Sequence, residues 1–246
     1  MVSAMNRSEV ILETVGLTKR FGGVTAIDRV SLKIMRGELR CLIGPNGAGK
    51  STFFKMLTAQ HGPSGGQVLF DGQDITGWQA HAVSRAGIGI KNQVPDVFDH
   101  LSARENVWLA ASYHGRSAKA ERAVDEIMES LRITGLARKK AGELAHGQRQ
   151  WVELAMVLAR DPSLVLLDEP TAGMTDEETA KTAELILEIN KSRSIVVVEH
   201  DMQFIRKIAK MVTVFHQGKI LAEDTMANIQ KNETVRDVYL GHSAAA

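Results

Sequence analysis

The chain has 246 residues, with 30 Lys plus Arg against 29 Asp plus Glu and a single cysteine. That length suits one large domain able to bury a full core. The balanced charge lacks the basic field that nucleic-acid binding needs, so no nucleic acid is expected as a partner.

Cys41 lies inside an apolar run and has no partner for an internal disulfide. It reads as a small core residue in a reducing cytosol. No apolar stretch reaches the ~18 residues of a membrane span, and the opening MVSAMNRSEV lacks the apolar core of a signal peptide. A chain soluble by itself is expected, which leaves docking on a membrane partner open.

The first part reads as β structure. Val30, Leu32 and Ile34 alternate with Ser31, Lys33 and Met35, the period of a half-buried strand. Leu39 to Ile43 is an apolar strand that runs into the glycine-rich GPNGAGKST, and Ser51 to Leu57 reads as the helix after it. Gly62-Pro63-Ser64-Gly65-Gly66 marks a turn, followed by a short strand, Gln67 to Phe70, and a second turn at Asp71-Gly72. Ile88-Gly89-Ile90-Lys91 is another strand, with Gln93 just past its end. From Ser102 to Arg160 the pattern is helical. Trp78, Trp108 and Trp151 fall in helix-like segments and read as packing residues. Alternation then returns: strand Leu164 to Leu167, helix Asp176 to Lys191, strand Ile195 to Val198, helix Met202 to Lys210. A hairpin from Val212 to Leu221 turns at Gln217-Gly218, an amphipathic tail runs to Gly241, and Ala244-Ala245-Ala246 is assigned no role.

This order predicts an α/β domain with a mostly parallel sheet covered on both faces. An antiparallel β region precedes it, and a helical block interrupts it. We expect one domain over 1–246, its core at 1–93 and 161–246, and an inserted helical subdomain at 94–160.

Gly44 to Ser51 fit G-x-x-x-x-G-K-[ST] between a strand and a helix, the setting in which that motif binds phosphates. Gly44, Gly47 and Gly49 let backbone N–H groups turn inward, and Pro45, Asn46, Ala48 and Thr52 complete the loop. Lys50 is placed to pair with the β- and γ-phosphates of ATP and Ser51 to ligate Mg²⁺. At the end of LVLLDE, Asp168 is a candidate for Mg²⁺ or its water, and Glu169 for orienting and deprotonating the attacking water. Paired acids after a strand can also simply cap the next helix.

Strand Ile195 to Val198 ends in Glu199-His200-Asp201, where His200 could reach a γ-phosphate or could be structural. The neutral amide of Gln93 could touch Mg²⁺ or the attacking water, or it could be an ordinary loop residue.

GPNGAGKST, the glutamine in KNQ, LAHGQRQ, LVLLDEP and VVVEHD, in this order, resemble the nucleotide-binding subunit of an ABC transporter. The resemblance runs from about Val15 to Gly241. It implies a head-to-tail dimer in which the turn Leu144, Ala145, His146, Gly147 and Gln148 of one subunit closes on the ATP held by the other. It also implies that Phe21 stacks on adenine and that Val94 to Leu101, with Phe98, meets a cytoplasmic helix of a membrane subunit. Two transmembrane permease subunits, an extracytoplasmic solute-binding protein and a site on the cytoplasmic face of the plasma membrane complete that implied assembly. GELRCLIGPNGAGKST, GQRQWVELAM, EPTAGMTDEE and VVVEHDM are similar to branched-chain amino acid importers, most of all to relatives that take up urea or short amides.

Two positions depart from the family pattern. LSGGQ stands here as LAHGQ, which removes a hydroxyl at Ala145 and puts an imidazole at His146. The aspartate of SALD is replaced by Thr175, with Asp176 after it, so communication between the two sites is in question. Two other readings stay open: a soluble ATPase of this type, as in cluster assembly, and a nucleotide sensor that hydrolyses weakly.

Overall fold

In the computed structural model of the chain, residues 9–112 and 118–240 are described. The opening segment, Gly241 and the alanine end lie outside them.

Two sheets form the frame. The first is antiparallel, β2-β1-β4-β5, built from β1 (Val10–Phe21), β2 (Val24–Met35), β4 (Gly65–Phe70) and the two-residue β5 (Gln73–Asp74). The second has six strands in the order β10-β9-β3-β8-β7-β6. They are β3 (Leu39–Ile43), β6 (Ile88–Lys91), β7 (Leu164–Asp168), β8 (Ser194–Val198), β9 (Met211–His216) and β10 (Lys219–Thr225). All of its pairings are parallel except β9 with β10. That hairpin turns at Gln217 and Gly218, both with positive φ (48° and 75°), the backbone twist that two-residue hairpins favour.

The central strands are buried on both faces, and the period of two divides them between two cores. Leu39, Cys41, Ile43, Val165, Leu167, Ile195 and Val197 point to one side and pack with the helices there. Leu42, Leu164, Leu166, Val196 and Val198 point to the other, where they meet the antiparallel sheet. Between those layers lies α1 (Lys50–Leu57) with Phe53 and Phe54. Burial pushes the Cys41 thiol up to about 12, so it remains an inert core side chain.

The helices on the first side are α3 (Ala103–Ala111), α4 (Ala118–Ser130), α5 (His146–Leu158), α6 (Asp176–Asn190) and α7 (Met202–Ile208). α3 opens on a capping box in which Ser102 and Glu105 satisfy each other's backbone N–H groups. Short helices α2 (Ala80–Ala86), α8 (Met226–Ile229) and α9 (Glu233–Leu240) complete the chain. No described helix is long and apolar enough to cross a membrane.

Two expectations need correction. Trp78 lies in a turn before α2, not in a helix. α7 stops at Ile208, short of Lys210, because the extended backbone of Ala209 (ψ 124°) leads directly into β9.

Candidate functional site

Strands β6, β7, β8 and β3 are neighbours and run parallel, so their C-terminal ends open on one edge. In an open α/β sheet that edge is where ligands bind. It receives Asn92 and Gln93 from β6, Asp168 and Glu169 from β7, Glu199 and His200 from β8, and the 44–52 loop from β3.

Two glycines of the loop are required by close approach. A Cβ on Gly44 would lie 2.3 Å from the Phe215 carbonyl oxygen, and one on Gly49 2.8 Å from that of Ala26, with φ of 153° and 104°. Gly47 differs from both. It is exposed, and none of the described residues lies within 4 Å of where its Cβ would stand, so space does not require glycine there. Its φ of 77° does, by turning the exposed tip of the loop. Gly49 is also the N-cap of α1, where among the described residues no side chain makes a capping hydrogen bond, and the first turn holds no acidic residue. The free N–H groups of that turn therefore face the loop as an anion site. Lys50 Nζ donates to the carbonyls of Gly44 (2.6 Å) and Pro45 (3.1 Å). Its burial lowers the ammonium pKa, while Glu169 and Asp168 pull it back up. Ala48 is buried and Ser51 is exposed at the start of the helix.

Beside the loop stands a carboxylate pair with divided environments. Burial, then the charge of Glu169, pushes Asp168 up to about 6. Glu169 has a left-handed backbone, φ 44°. Such a conformation costs a non-glycine residue about 1–3 kcal/mol and recurs at active sites. It is pinned by a bond from Glu169 N–H to the Val198 carbonyl (2.9 Å). Gln93 Nε2 donates to Glu169 Oε2 at 2.8 Å, and His200 Nδ1 lies 3.5 Å from Glu169 Oε1. The edge thus brings Gln93, Glu169 and His200 into one cluster.

Sequence reasoning passed over Glu199. This side chain is 1% exposed and accepts from the His200 N–H (2.7 Å), the Asp201 N–H (3.3 Å) and the Thr171 hydroxyl. It fastens the His200 loop to the stretch after Glu169. A lone acid following four buried strand residues was the available signal. Lys91, Gln150 and Glu153 were missed as well, each being a polar residue on a face that burial closes.

The LAHGQ turn begins α5. Leu144 is in the core, and Ala145 is the N-cap with extended backbone and no side-chain acceptor. Only half of a capping box remains, with Ala145 N–H donating to Gln148 Oε1 at 3.3 Å. Restoring a hydroxyl by Ala145→Ser supplies the missing acceptor for Gln148 N–H. It should stabilise the fold by about 1 kcal/mol, a rise of roughly 2–4 °C in Tm by calorimetry. A Cβ on Gly147 would meet Glu178 Oε1 at 2.3 Å, so the Glu178 carboxylate would have to move to admit one. His146 Nε2 is 3.0 Å from the Ala172 carbonyl, so the imidazole is engaged within its own chain. Thr175 and Glu178 form a capping box that starts α6.

Phe21 ends β1 at a hairpin tip. It is 45% exposed, lies edge-on to His61 at 5.5 Å and has Lys19 Nζ 5.0 Å from its ring centre. The donors around the edge (the Ser51 hydroxyl, the Asp168 carboxylate and the Gln93 amide) are hard oxygens of the kind Mg²⁺ accepts beside phosphates. With the uncapped α1 turn and the Lys50 ammonium, the residues present fit a nucleotide phosphate chain and its Mg²⁺.

The chain is similar to known proteins over nearly its whole length. The family model described as ABC transporter matches residues 27–172. The high-affinity branched-chain amino acid transport ATP-binding protein BraF of Pseudomonas aeruginosa is 34% identical over 96% of this chain and 100% of its own length. The corresponding protein LivG of Escherichia coli is 33% identical over the same shares. Among solved structures, an ABC transporter ATP-binding cassette in its ADP conformation superposes with a TM-score of 0.84 at 28% identity, covering 95% of this chain and 100% of that one. A dimeric cassette bound to ADP and phosphate gives 0.77 at 25% identity, covering 88% and 99%.

Proposed function

Because the chain belongs to the ABC transporter family of ATPases, we propose that it powers a solute importer by hydrolysing ATP at a head-to-tail dimer interface. The observation that carries this reading is the Glu169 carboxylate, held by Gln93 and faced by His200 beside the phosphate loop.

In this reading Gly44 to Thr52 wrap the phosphates, Lys50 pairs with the β- and γ-phosphates, and Phe21 stacks on adenine. Ser51, Asp168 and Gln93 would hold Mg²⁺, which would screen the phosphate charge. Glu169 takes a proton from water as the water oxygen bonds the γ-phosphorus and the bond to the departing ADP breaks. His200 steadies the γ-phosphate. Leu144 to Gln148 serve the ATP of the partner subunit. Ala145 brings no hydroxyl to it, and the imidazole of His146 is engaged by the Ala172 carbonyl of its own chain, so backbone N–H groups and the α5 dipole make the contact. A nucleotide sensor has no need of the Gln93–Glu169–His200 cluster.

The assembly has a second ATPase subunit, two transmembrane permease subunits and a solute-binding protein. It places this chain peripherally on the cytoplasmic face of the membrane. A groove of about 520 Å³ lined by Phe98, Leu109, Met156 and Val157 suits a permease helix. Phe98 is 58% exposed at its rim.

The cargo is a small polar solute, a branched-chain amino acid or a urea-like amide. Reconstitution with the permeases and the loaded binding protein tests this. We expect ATPase stimulation by one of those cargo classes and none with an empty binding protein. Turnover indifferent to permeases and cargo would refute the importer reading.

A further inference from the structure

His146 is the side chain of the LAHGQ turn whose polar contacts the proposed mechanism leaves unexplained. It stands at the first residue of α5, and its Nε2 lies between two groups: the Ala172 carbonyl at 3.0 Å and the Gln150 side-chain nitrogen at 3.1 Å. The ring also lies over Gly173, where an added Cβ would come within 3.4 Å of it. Gln150 is 1% exposed, one turn further along α5, and its Nε2 donates as well to the Gln93 carbonyl at 3.0 Å. Gln93 in turn donates through its own side chain to Glu169. Ala172 is three residues beyond Glu169, with its N–H donating to the Glu169 carbonyl at 3.1 Å.

These contacts close a ring: Glu169, Gln93, Gln150, His146, Ala172 and back to Glu169. One nitrogen is its weak point. With the proton on Nε2 the imidazole donates to Ala172. With the proton on Nδ1, the Nε2 lone pair accepts from Gln150. A single Nε2 cannot do both at once. At the same place Gln150 Oε1 is buried with no hydrogen-bond partner among the described residues, so the network is not saturated in this arrangement.

We propose that His146 is a positioning residue for hydrolysis, joining the N-terminus of α5 to the Glu169 carboxylate through Gln150 and Gln93 on one side and Ala172 on the other. Glu169 is then aimed at water only while the LAHGQ turn keeps its place. The inference rests on the reading of Glu169 as the base.

The test is steady-state MgATP hydrolysis by the full-length chain, with kcat and KM separated and Tm recorded. His146→Ala should lower kcat by about 3- to 10-fold, the weight of one net hydrogen bond, with KM within twofold. His146→Gln, whose amide nitrogen reaches the position of Nε2, should restore most of it. His146→Asn, one bond shorter, should not. The contrast between glutamine and asparagine decides the matter even if the alanine variant folds poorly. The proposal is overturned if alanine leaves kcat within twofold, if glutamine does no better than asparagine, or if the whole effect falls on KM. Glu169→Gln, run beside them, separates the two ideas. Turnover surviving that change removes the base, whereas turnover lost there with a neutral His146→Ala removes only the ring.

Discussion

Replacing Glu169 by glutamine should lower ATP turnover by about 10²–10⁴-fold, the usual weight of a general base, while ATP binding persists and the ATP-bound dimer accumulates. The substitution is close to isosteric. Glutamine tolerates φ 44° no worse than glutamate, and its amide oxygen can still accept from Gln93 Nε2, which lies 2.8 Å from Glu169 Oε2. What is lost is the capacity to accept a proton as the water oxygen attacks. The phosphate loop, Lys50 and the α1 N-terminus are untouched, so affinity for the nucleotide should hold. Turnover by phosphate release and dimerisation by light scattering in MgATP measure the two halves separately. His200→Ala should cost less than Glu169→Gln, because the imidazole is 63% exposed and lies 3.5 Å from the carboxylate it faces. Equal turnover in wild type and Glu169→Gln would remove Glu169 from the mechanism.

Motifs that depend on local spacing were legible in the chain. The strand–loop–helix around GPNGAGKST and the strand Leu164 to Asp168 appear within a residue or two of their expected limits, because glycine spacing and an apolar run are read over a few positions. The hairpin at Gln217-Gly218 was readable for the same reason. Less legible was whatever depends on which strands become neighbours. That β6 lies next to β7 sets Gln93 against Glu169, yet the two are 76 positions apart and local sequence left Gln93 undecided. Glu199 beside Thr171 and Gln150 beside Gln93 are contacts of the same kind, made by tertiary approach and invisible to periodicity. His146 was readable as a departure from a pattern. Its partner, Ala172, was not, because a backbone carbonyl leaves no signature in the sequence.

The same limit hides the pair on which the second large effect depends. Lys91, 2% exposed at the end of β6, places its ammonium 3.5 Å from Glu153 Oε2 on α5, itself 7% exposed. Burial lowers the pKa of Lys91 and raises that of Glu153, and each charge is kept mainly by the other. The pair also brackets the segment that carries Gln93: Lys91 Nζ donates to the Asn92 carbonyl (3.1 Å), and Glu153 Oε1 accepts from Asp96 N–H (3.4 Å). Lys91→Met should therefore cost about 3–5 kcal/mol, because it leaves a buried carboxylate without its partner charge. The loss depends on pH. A carboxyl whose folded pKa is raised stabilises the fold in its protonated form, fully below its unfolded pKa and less as pH climbs through the folded value. The variant should thus lie nearer to wild type at pH 5 than at pH 8 in urea unfolding. Removing both charges, by Lys91→Met with Glu153→Leu, should recover most of the stability, since a dry apolar contact replaces the pair without a desolvation cost. Turnover should not recover with it, because the Asn92 and Asp96 backbone groups have lost the partners that hold Gln93 in place. A double variant restored in stability and turnover alike would show that the pair serves the fold alone.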